Sequence, residues 1–443
     1  MVNVEIAVFG AGYVGLVTAV CLASQGHRLC VVEKDRAKLD KLRSGHAAFY
    51  EPELEGMLAD AAGADRIHFT NNSGDAVHSA DLLFVCVGTP PLPDGSADLS
   101  QVEEVMKTIL KHETERKKHE EDKGKLVVIK STVPVGTAYR LKRMADLYGN
   151  GAGEIEVASN PEFLREGSAV RDFMQPDRIV IGTSGERGEA MLRSVYRNFD
   201  CPVLVTDTNT AEMIKYASNS FLATKISFIN MISDLCDKVQ ADISIVAAGM
   251  GYDKRIGEQF LKAGIGFGGS CFPKDLSALT AVGRKHHVKV ELLEQVIGVN
   301  RDRPLRLMEK LKEEMWVLKG KTIVLLGLTF KPNTDDVRDC PAASVAERLL
   351  KEQANVVAYD PAGMANFKSL YPELSARIRF ADDAYEACRR SDGIVLLTEW
   401  PVFKELDWGR ISANMEAPFL LDARHFLEEA KLKQAGFIRG SRT

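Results

Sequence analysis

The chain has 443 residues, 45% hydrophobic and 27% charged, with 57 basic against 62 acidic side chains and a net charge of −5. That balance belongs to a folded globular protein and excludes a long disordered chain, a fibrous repeat and a disulfide-dense secreted scaffold. The length exceeds what one hydrophobic core supports, so two or three domains are expected, and the acidic surplus argues against nucleic acid as a partner.

The N-terminus runs Val4-Glu5-Ile6-Ala7-Val8-Phe9 straight into glycines, without the basic stretch and cleavage site of a signal peptide. No segment approaches the roughly 18 apolar residues of a membrane span. The eight cysteines, at 21, 30, 86, 201, 236, 271, 340 and 388, contain no CxxC pair. That scatter fits neither a metal site nor a disulfide framework. A reduced, cytoplasmic protein that needs no membrane and no metal is expected.

In chain order, residues 6–9 form a short apolar run, 10–15 are glycine-rich, 16–24 have helical composition, and 29–32 are apolar again before Glu33. This reads as strand, turn, helix, strand. Further short strands are expected at 82–87, 126–129 and 179–181. Short apolar strands alternating with helical segments predict a parallel sheet with helices on both faces. The mixed-charge run at 111–125 predicts a solvated helix end and loop. Residues 210–248 lack proline and predict one or two long helices. A second strand-turn-helix-strand begins at 322–327, continues through a helix at 344–352 and reaches 356–360. Ser79-Ala80-Asp81-Leu82 and Ser391-Asp392-Gly393-Ile394, each after a βαβ unit, echo one another. The predicted fold is α/β, with two Rossmann-like doubly wound domains joined by a long central helical segment.

Gly10-Ala11-Gly12-Tyr13-Val14-Gly15 matches GxGxxG directly after a strand and before a helix. Gly10 permits the tight turn, Gly12 lets the backbone approach a pyrophosphate, and Gly15 lets the helix pack on the strand. Glu33, eighteen residues past Gly15, is placed to accept ribose hydroxyls and to repel a 2′-phosphate, which favours NAD over NADP. Lys34 beside it argues the other way. The second unit, with Gly327-Leu328-Thr329-Phe330-Lys331-Pro332, lacks this fingerprint, although Lys331 and Arg338 offer cations to phosphates.

Between 264 and 269 four of six residues are glycine, and Ser270-Cys271-Phe272-Pro273-Lys274-Asp275 follows. Flexible backbone leads there into a cysteine just before a predicted helix, with Pro273 suited to its first turn. A thiol at a helix N-terminus with a lysine nearby is read as nucleophilic, and the other seven cysteines as small core residues. Glu162 and Glu166 lie four apart, as do Lys215 and Asn219, which is helical spacing. On spacing alone, a solvent-exposed helix surface is the plainer reading of each pair. Thr132 follows a predicted strand, where doubly wound sheets bind ligands.

The segments GAGYVG, VGTP at 87–90, STVPVGT, NPEFLREG, AEMIKYASN, GFGGSCFPKD and GLTFKPNTDDVR occur in that order. Over residues 4 to about 400 the chain resembles the UDP-glucose/GDP-mannose dehydrogenase family of nucleotide-sugar dehydrogenases. The resemblance implies a four-electron oxidation of UDP-glucose to UDP-glucuronate that reduces two NAD+ and releases no free aldehyde. Cys271 would attack the aldehyde as a thiolate, and the thiohemiacetal would become a thioester that water hydrolyses. Lys215 would stabilise developing negative charge on oxygen, Asn219 and Asp275 would position water or move protons, and Thr132 and Glu162 would support that water.

By the same resemblance, Gly10, Gly12, Tyr13, Val14, Gly15, Glu33, Lys38, Thr89, Pro90, Thr132, Glu166 and Arg338 would contact NAD. Glu162, Phe163, Leu164, Lys215, Asn219, Phe260, Gly264, Gly268, Phe330 and Lys331 would contact the UDP-sugar, with Arg255 reaching it from a partner subunit. The family's long central helices pair subunits, so a homodimer or larger homo-oligomer is implied. The expected domains are 1–205 for NAD, 206–300 for the helical part with the cysteine loop, and 301–443 for the UDP-sugar. Met231 departs from the acid many bacterial relatives carry there. The rival readings are a dehydrogenase of another nucleotide sugar, such as UDP-N-acetylmannosamine or GDP-mannose, and an NAD-binding scaffold without turnover. The intact set Cys271, Lys215, Asn219 and Asp275 argues against the scaffold.

Overall fold

The computed structural model describes residues 4–116, 124–149 and 154–439. The chain divides into two compact units, one made of Met1–Ser218 with Ser277–Val282 and the other of Asn219–Leu276 with Gly283–Thr443.

The first unit is built on eight strands: β1 (Glu5–Phe9), β2 (Arg28–Val32), β3 (Ile67–Thr70), β4 (Leu82–Val85), β5 (Lys125–Ile129), β6 (Ile155–Ser159), β7 (Ile179–Gly182) and β8 (Val203–Thr206). They form one sheet in the order β3-β2-β1-β4-β5-β6-β7-β8. Apart from Glu5 and Lys125 at their first positions, the central strands β1, β4 and β5 are apolar throughout, because helices cover both faces. Ile6, Val8, Phe84 and Val128 pack on one side with the helix Tyr13–Ser24. Ala7, Leu83, Val127 and Ile129 pack on the other with the helix Ser100–Arg116. Every pairing is parallel except β6 with β7, which meet antiparallel at Ser159 and Gly182. That departs from the all-parallel expectation. Most of the link between them is loop, with one helix of six residues, Ala169–Met174, so the chain turns back instead of making a full helical crossover.

The charged run at 111–125 is not simply solvated. Glu113 continues the apolar stripe of its helix, four residues after Ile109 and seven after Met106, and is fully buried. Arg116 bonds it at 2.9 Å, and Lys125, itself buried, lies 3.7 Å away. The Lys125 ammonium also donates to the carbonyls of Val77 (2.9 Å) and Ala80 (2.7 Å). The middle of the run, 117–123, lies outside the described residues.

The second unit holds β9 (Thr322–Leu326), β10 (Asn355–Tyr359), β11 (Arg379–Phe380), β12 (Gly393–Leu396), β13 (Phe419–Asp422) and β14 (Ile438–Arg439). Their order, β11-β10-β9-β12-β13-β14, repeats that of β3-β2-β1-β4-β5-β6, and all its pairings are parallel. The echo between Ser79–Leu82 and Ser391–Ile394 thus marks equivalent strands, β4 and β12. Two helices fill the proline-free stretch, Thr208–Val239 and Ile243–Gly251. They are separated at Gln240, whose φ of 59° ends the first, and Asp242 caps the second by accepting from the Ser244 N–H. Among the described residues no helix is long and apolar enough to cross a membrane.

Candidate active site

In a sheet of order 3-2-1-4-5-6, chains leave β1 and β4 in opposite directions, opening a crevice at their C-terminal ends. The first unit places there the residues after β1 (10–15), β4 (86–90), β5 (130–136) and β6 (160–166). A Cβ on Gly10 would lie 2.9 Å from the Cys86 carbonyl oxygen, and one on Gly15 only 1.9 Å from that of Gly10. Those two glycines are therefore demanded by the turn itself. A Cβ on Gly12 would meet nothing within 4 Å. Gly12 caps the helix Tyr13–Ser24 without a side chain, leaving open space before the N–H groups of its first turn, which suits a pyrophosphate. The Glu33 carboxylate accepts from the N–H groups of Ala11 (3.2 Å) and Asp35 (2.9 Å), so it is held beside the glycine turn with acceptor capacity left over for hydroxyls. Lys34 is drawn off to Glu104 at 2.5 Å. These residues fit a dinucleotide with an unphosphorylated ribose.

Thr89 is buried and its hydroxyl donates to the Thr132 carbonyl at 2.8 Å. Tyr13 donates to the buried Glu51 carboxylate, which also accepts the N–H groups of Gly167 and Ala169, each at 2.7 Å. Burial and the neighbouring Glu51 charge both push the Tyr13 hydroxyl far above its ordinary value, so it remains a donor. Pro90 and Lys38 are exposed, and Glu166 is partly buried.

Glu162 and Lys215 form a buried ion pair at 2.7 Å, with side chains 6% and 4% exposed. Glu162 also accepts the Leu164 N–H at 2.6 Å. Burial alone would raise the Glu162 carboxyl; the Lys215 charge and hydrogen bond, the Leu164 N–H and Lys130 outweigh it and hold the group below its usual range. The Phe163 ring lies 5.5 Å from the Lys215 ammonium. Lys215 is thus no surface residue. Neither is Glu162, nor is it on a helix: residues 161–165 are irregular, so the four-residue spacing to Glu166 has no helical meaning.

In the second unit Asn219, also buried, donates to Asp275 at 2.6 Å, and Lys274 donates to the other Asp275 oxygen at 2.7 Å. Asp275 is 1% exposed. It begins the ladder of the helix Phe272–Lys285, its N–H bonding the Cys271 carbonyl at 2.8 Å. Cys271 stands at the N-terminus of that helix and is the exposed cysteine of the eight; five others are buried and two intermediate. Burial pushes the thiols of Cys21, Cys86, Cys340 and Cys388 up to about 12.

The glycine loop before Cys271 is held by side chains from across the same unit. Gly264 N–H donates to Asn230 (2.8 Å), Phe267 N–H to Asn300 (2.8 Å), and Arg303 and Arg424 donate to the carbonyls of Gly264 (3.0 Å) and Gly266 (3.2 Å). A Cβ on Gly269 would strike the Phe330 ring at 2.8 Å, and one on Gly268 the Asp339 carbonyl oxygen at 2.4 Å. The loop, Phe330 and Lys331 therefore share one surface, with the Lys331 ammonium 5.3 Å from the Phe330 ring. Phe260 is partly buried, 6.2 Å from the Phe272 ring. Arg338 pairs with Asp336 at 2.8 Å and is over half exposed; Arg255, 89% exposed, pairs with Asp253.

Several structural supports carried no sequence signal. Glu51, Arg303 and Arg424 read as ordinary surface charges until the fold buries the first two and partly buries the third. Asp360, where β10 ends as β2 ends before Glu33, is instead saturated by N–H groups of Leu328, Thr329, Ala362 and Gly363 and by the Trp400 indole. That acid faces inward and is spent, which is why the second unit lacks a ribose acceptor as well as the glycine fingerprint.

Residues 4–200, 209–302 and 324–429 match, in turn, the NAD binding, central and UDP binding domains of the UDP-glucose/GDP-mannose dehydrogenase family. The chain belongs to this family. Membership makes it an NAD-dependent oxidoreductase. It is 44% identical to the UDP-glucose 6-dehydrogenase YwqF of Bacillus subtilis over 96% of this chain and 95% of that one. Among solved structures, a UDP-glucose dehydrogenase from Pyrobaculum islandicum is 38% identical with a TM-score of 0.91, covering 99% of this chain and 97% of that one. A UDP-D-ManNAc dehydrogenase from Pyrococcus horikoshii is 26% identical with a TM-score of 0.84, covering 98% of each.

Proposed function

We propose that this family member oxidises UDP-glucose to UDP-glucuronate through a covalent intermediate on Cys271. The observation that carries this reading is the single exposed thiol, at a helix N-terminus and four residues before the buried Asp275. NAD, when bound at the glycine turn, supplies the acceptor for hydride. After C6 has lost a first hydride, Cys271 Sγ bonds the aldehyde carbon to give a thiohemiacetal; loss of a second hydride, to a second NAD+, leaves a thioester, which water cleaves, returning the thiol and releasing the carboxylate. Asp275, aligned by Asn219 and Lys274, takes or returns the proton of the thiol or of that water. Lys215 stabilises charge developing on the substrate oxygen, and Glu162 holds Lys215 in its ionised, directed form. Thr132, which follows β5 as Glu162 follows the neighbouring β6, supports the water. Glu166 and Arg338 act on the cofactor, and Phe163, Leu164, Phe260, Gly264, Gly268, Phe330 and Lys331 act on the UDP-sugar.

UDP-glucose is preferred over UDP-N-acetylmannosamine because relatives named for it share 40–44% identity over nearly the whole chain, against 26% for the relative named for the other sugar. With limiting UDP-glucose and excess NAD+, NADH absorbance read to completion is expected to reach two NADH per sugar. One per sugar removes the role of Cys271, and none turns the assignment to another nucleotide sugar.

The homodimer belongs to the same proposal. On the helix Thr208–Val239, Phe221, Phe228 and Leu235 recur every seven residues and are 66%, 42% and 56% exposed. A stripe of that period is a seam awaiting a partner helix, and a second copy would bring its exposed Arg255 to the sugar site. Phe228→Glu is expected to halve the mass seen by light scattering. A variant that keeps the mass of the parent would place the subunit contact elsewhere. We divide the chain at 205/206 and 300/301, near the gaps between the three family domains. A cytoplasmic setting fits eight cysteines with no disulfide among them.

A further inference from the structure

One buried cation has no part in the chemistry above. Lys130 follows β5 directly and is 4% exposed. Its ammonium donates to Asn160 Oδ1 at 3.0 Å and lies 3.4 Å from the Tyr196 hydroxyl. The rings of Phe84, Phe173 and Tyr196 surround it, with centres 5.9, 5.8 and 5.8 Å away. Among the described residues no carboxylate forms an ion pair with it. A bare lysine buried among aromatic rings is costly unless something repays it.

We propose that Lys130 is a positioning residue of this site: it anchors the start of the Glu162 loop through Asn160 and supplies a second positive charge alongside Lys215 that keeps Glu162 ionised. Asn160 is the hub. Its amide oxygen accepts from Lys130 and, at 2.6 Å, from Tyr196, while its amide nitrogen donates to the Val180 carbonyl at 2.8 Å. Asn160 is two residues from Glu162, so the anchor sets where that carboxylate begins. The groups that face Lys130 electrostatically are Cys86, Glu162 and Lys215. Arg165, Asp172, Asp177 and Arg178 line the same cavity, but Arg165 is taken by Asp172 at 2.6 Å, and Arg178 stacks 3.5 Å over the Phe163 ring. Burial pushes Lys130 down to about 8. The extra charge is therefore present below that pH and lost above it.

This inference rests on the dehydrogenase reading, which NADH formation by the parent protein tests separately. The experiment is the pH–rate profile of kcat/KM for the parent, Lys130→Met and Lys130→Arg, with thermal unfolding to confirm folding. In Lys130→Met the acid limb, set by Glu162, is expected to move up by about one pH unit. Lys130→Arg, which stays charged throughout, should leave the acid limb in place. A purely packing role would lower the rate without moving the profile, and that result in Lys130→Met overturns the proposal. If Lys130→Met does not fold, Lys130→Gln takes its place in the same measurement, and an acid limb that stays at the parent position overturns the proposal equally. A parent enzyme without activity would instead defeat the dehydrogenase reading itself.

Discussion

Cys271→Ser is expected to abolish net carboxylate formation, with turnover falling at least about a thousand-fold, as it does when a covalent nucleophile is removed. The argument is one of access and environment. The remaining cysteines are buried or half-buried, and burial raises the thiols of six of them, so none can substitute. The serine hydroxyl fits the space but is a far weaker nucleophile at neutral pH. Folding should be untouched, because the side chain is exposed and the helix is started by the Cys271 carbonyl, which serine retains. Single-turnover measurement decides the matter. A trace of enzyme-bound aldehyde without carboxylate supports the thioester route, whereas carboxylate formed at the parent rate sinks it.

The second large effect concerns Lys215. Replacing it with Met strands a carboxylate that is 6% exposed. Removing one partner of a buried pair costs about 3–5 kcal/mol of stability, and losing a cation aimed at developing oxyanion charge costs about 10²–10³ in kcat. The double variant Lys215→Met with Glu162→Gln should recover most of the stability in denaturant unfolding and none of the activity. The pH dependence carries a sign. In the parent, the lowered Glu162 contributes stability above its unfolded value and loses it as pH falls. Without Lys215, burial raises the same carboxyl, so the deficit of the variant is largest near neutrality and shrinks on acidification. A deficit independent of pH would mean that the pair is not the cause.

What the sequence disclosed was local. The glycine turn, the cysteine at a helix start and the two strand-helix-strand units each occupy a few consecutive residues whose physical requirements are fixed within that span. What it withheld was burial. Glu162 and Glu166 have helical spacing, yet the Gly167 and Ala169 N–H groups are claimed by Glu51, more than a hundred residues earlier, and Leu164 N–H by Glu162 itself; no helical ladder is left to form there. Lys215 and Asn219 look like surface residues from their spacing, yet both are buried. The antiparallel junction of β6 and β7 likewise depends on how the intervening loop is pinned, which no periodicity encodes.

The buried knot of Glu113, Arg116 and Lys125 acts as a clasp between the end of one helix and the start of β5. It ties the two elements to each other by side chains inside the core, so β5 keeps its place against that helix without help from the surface. Position 113 itself admits no uncharged residue without cost: Lys125 would keep only the Val77 and Ala80 carbonyls and the half-exposed Asp81 carboxylate.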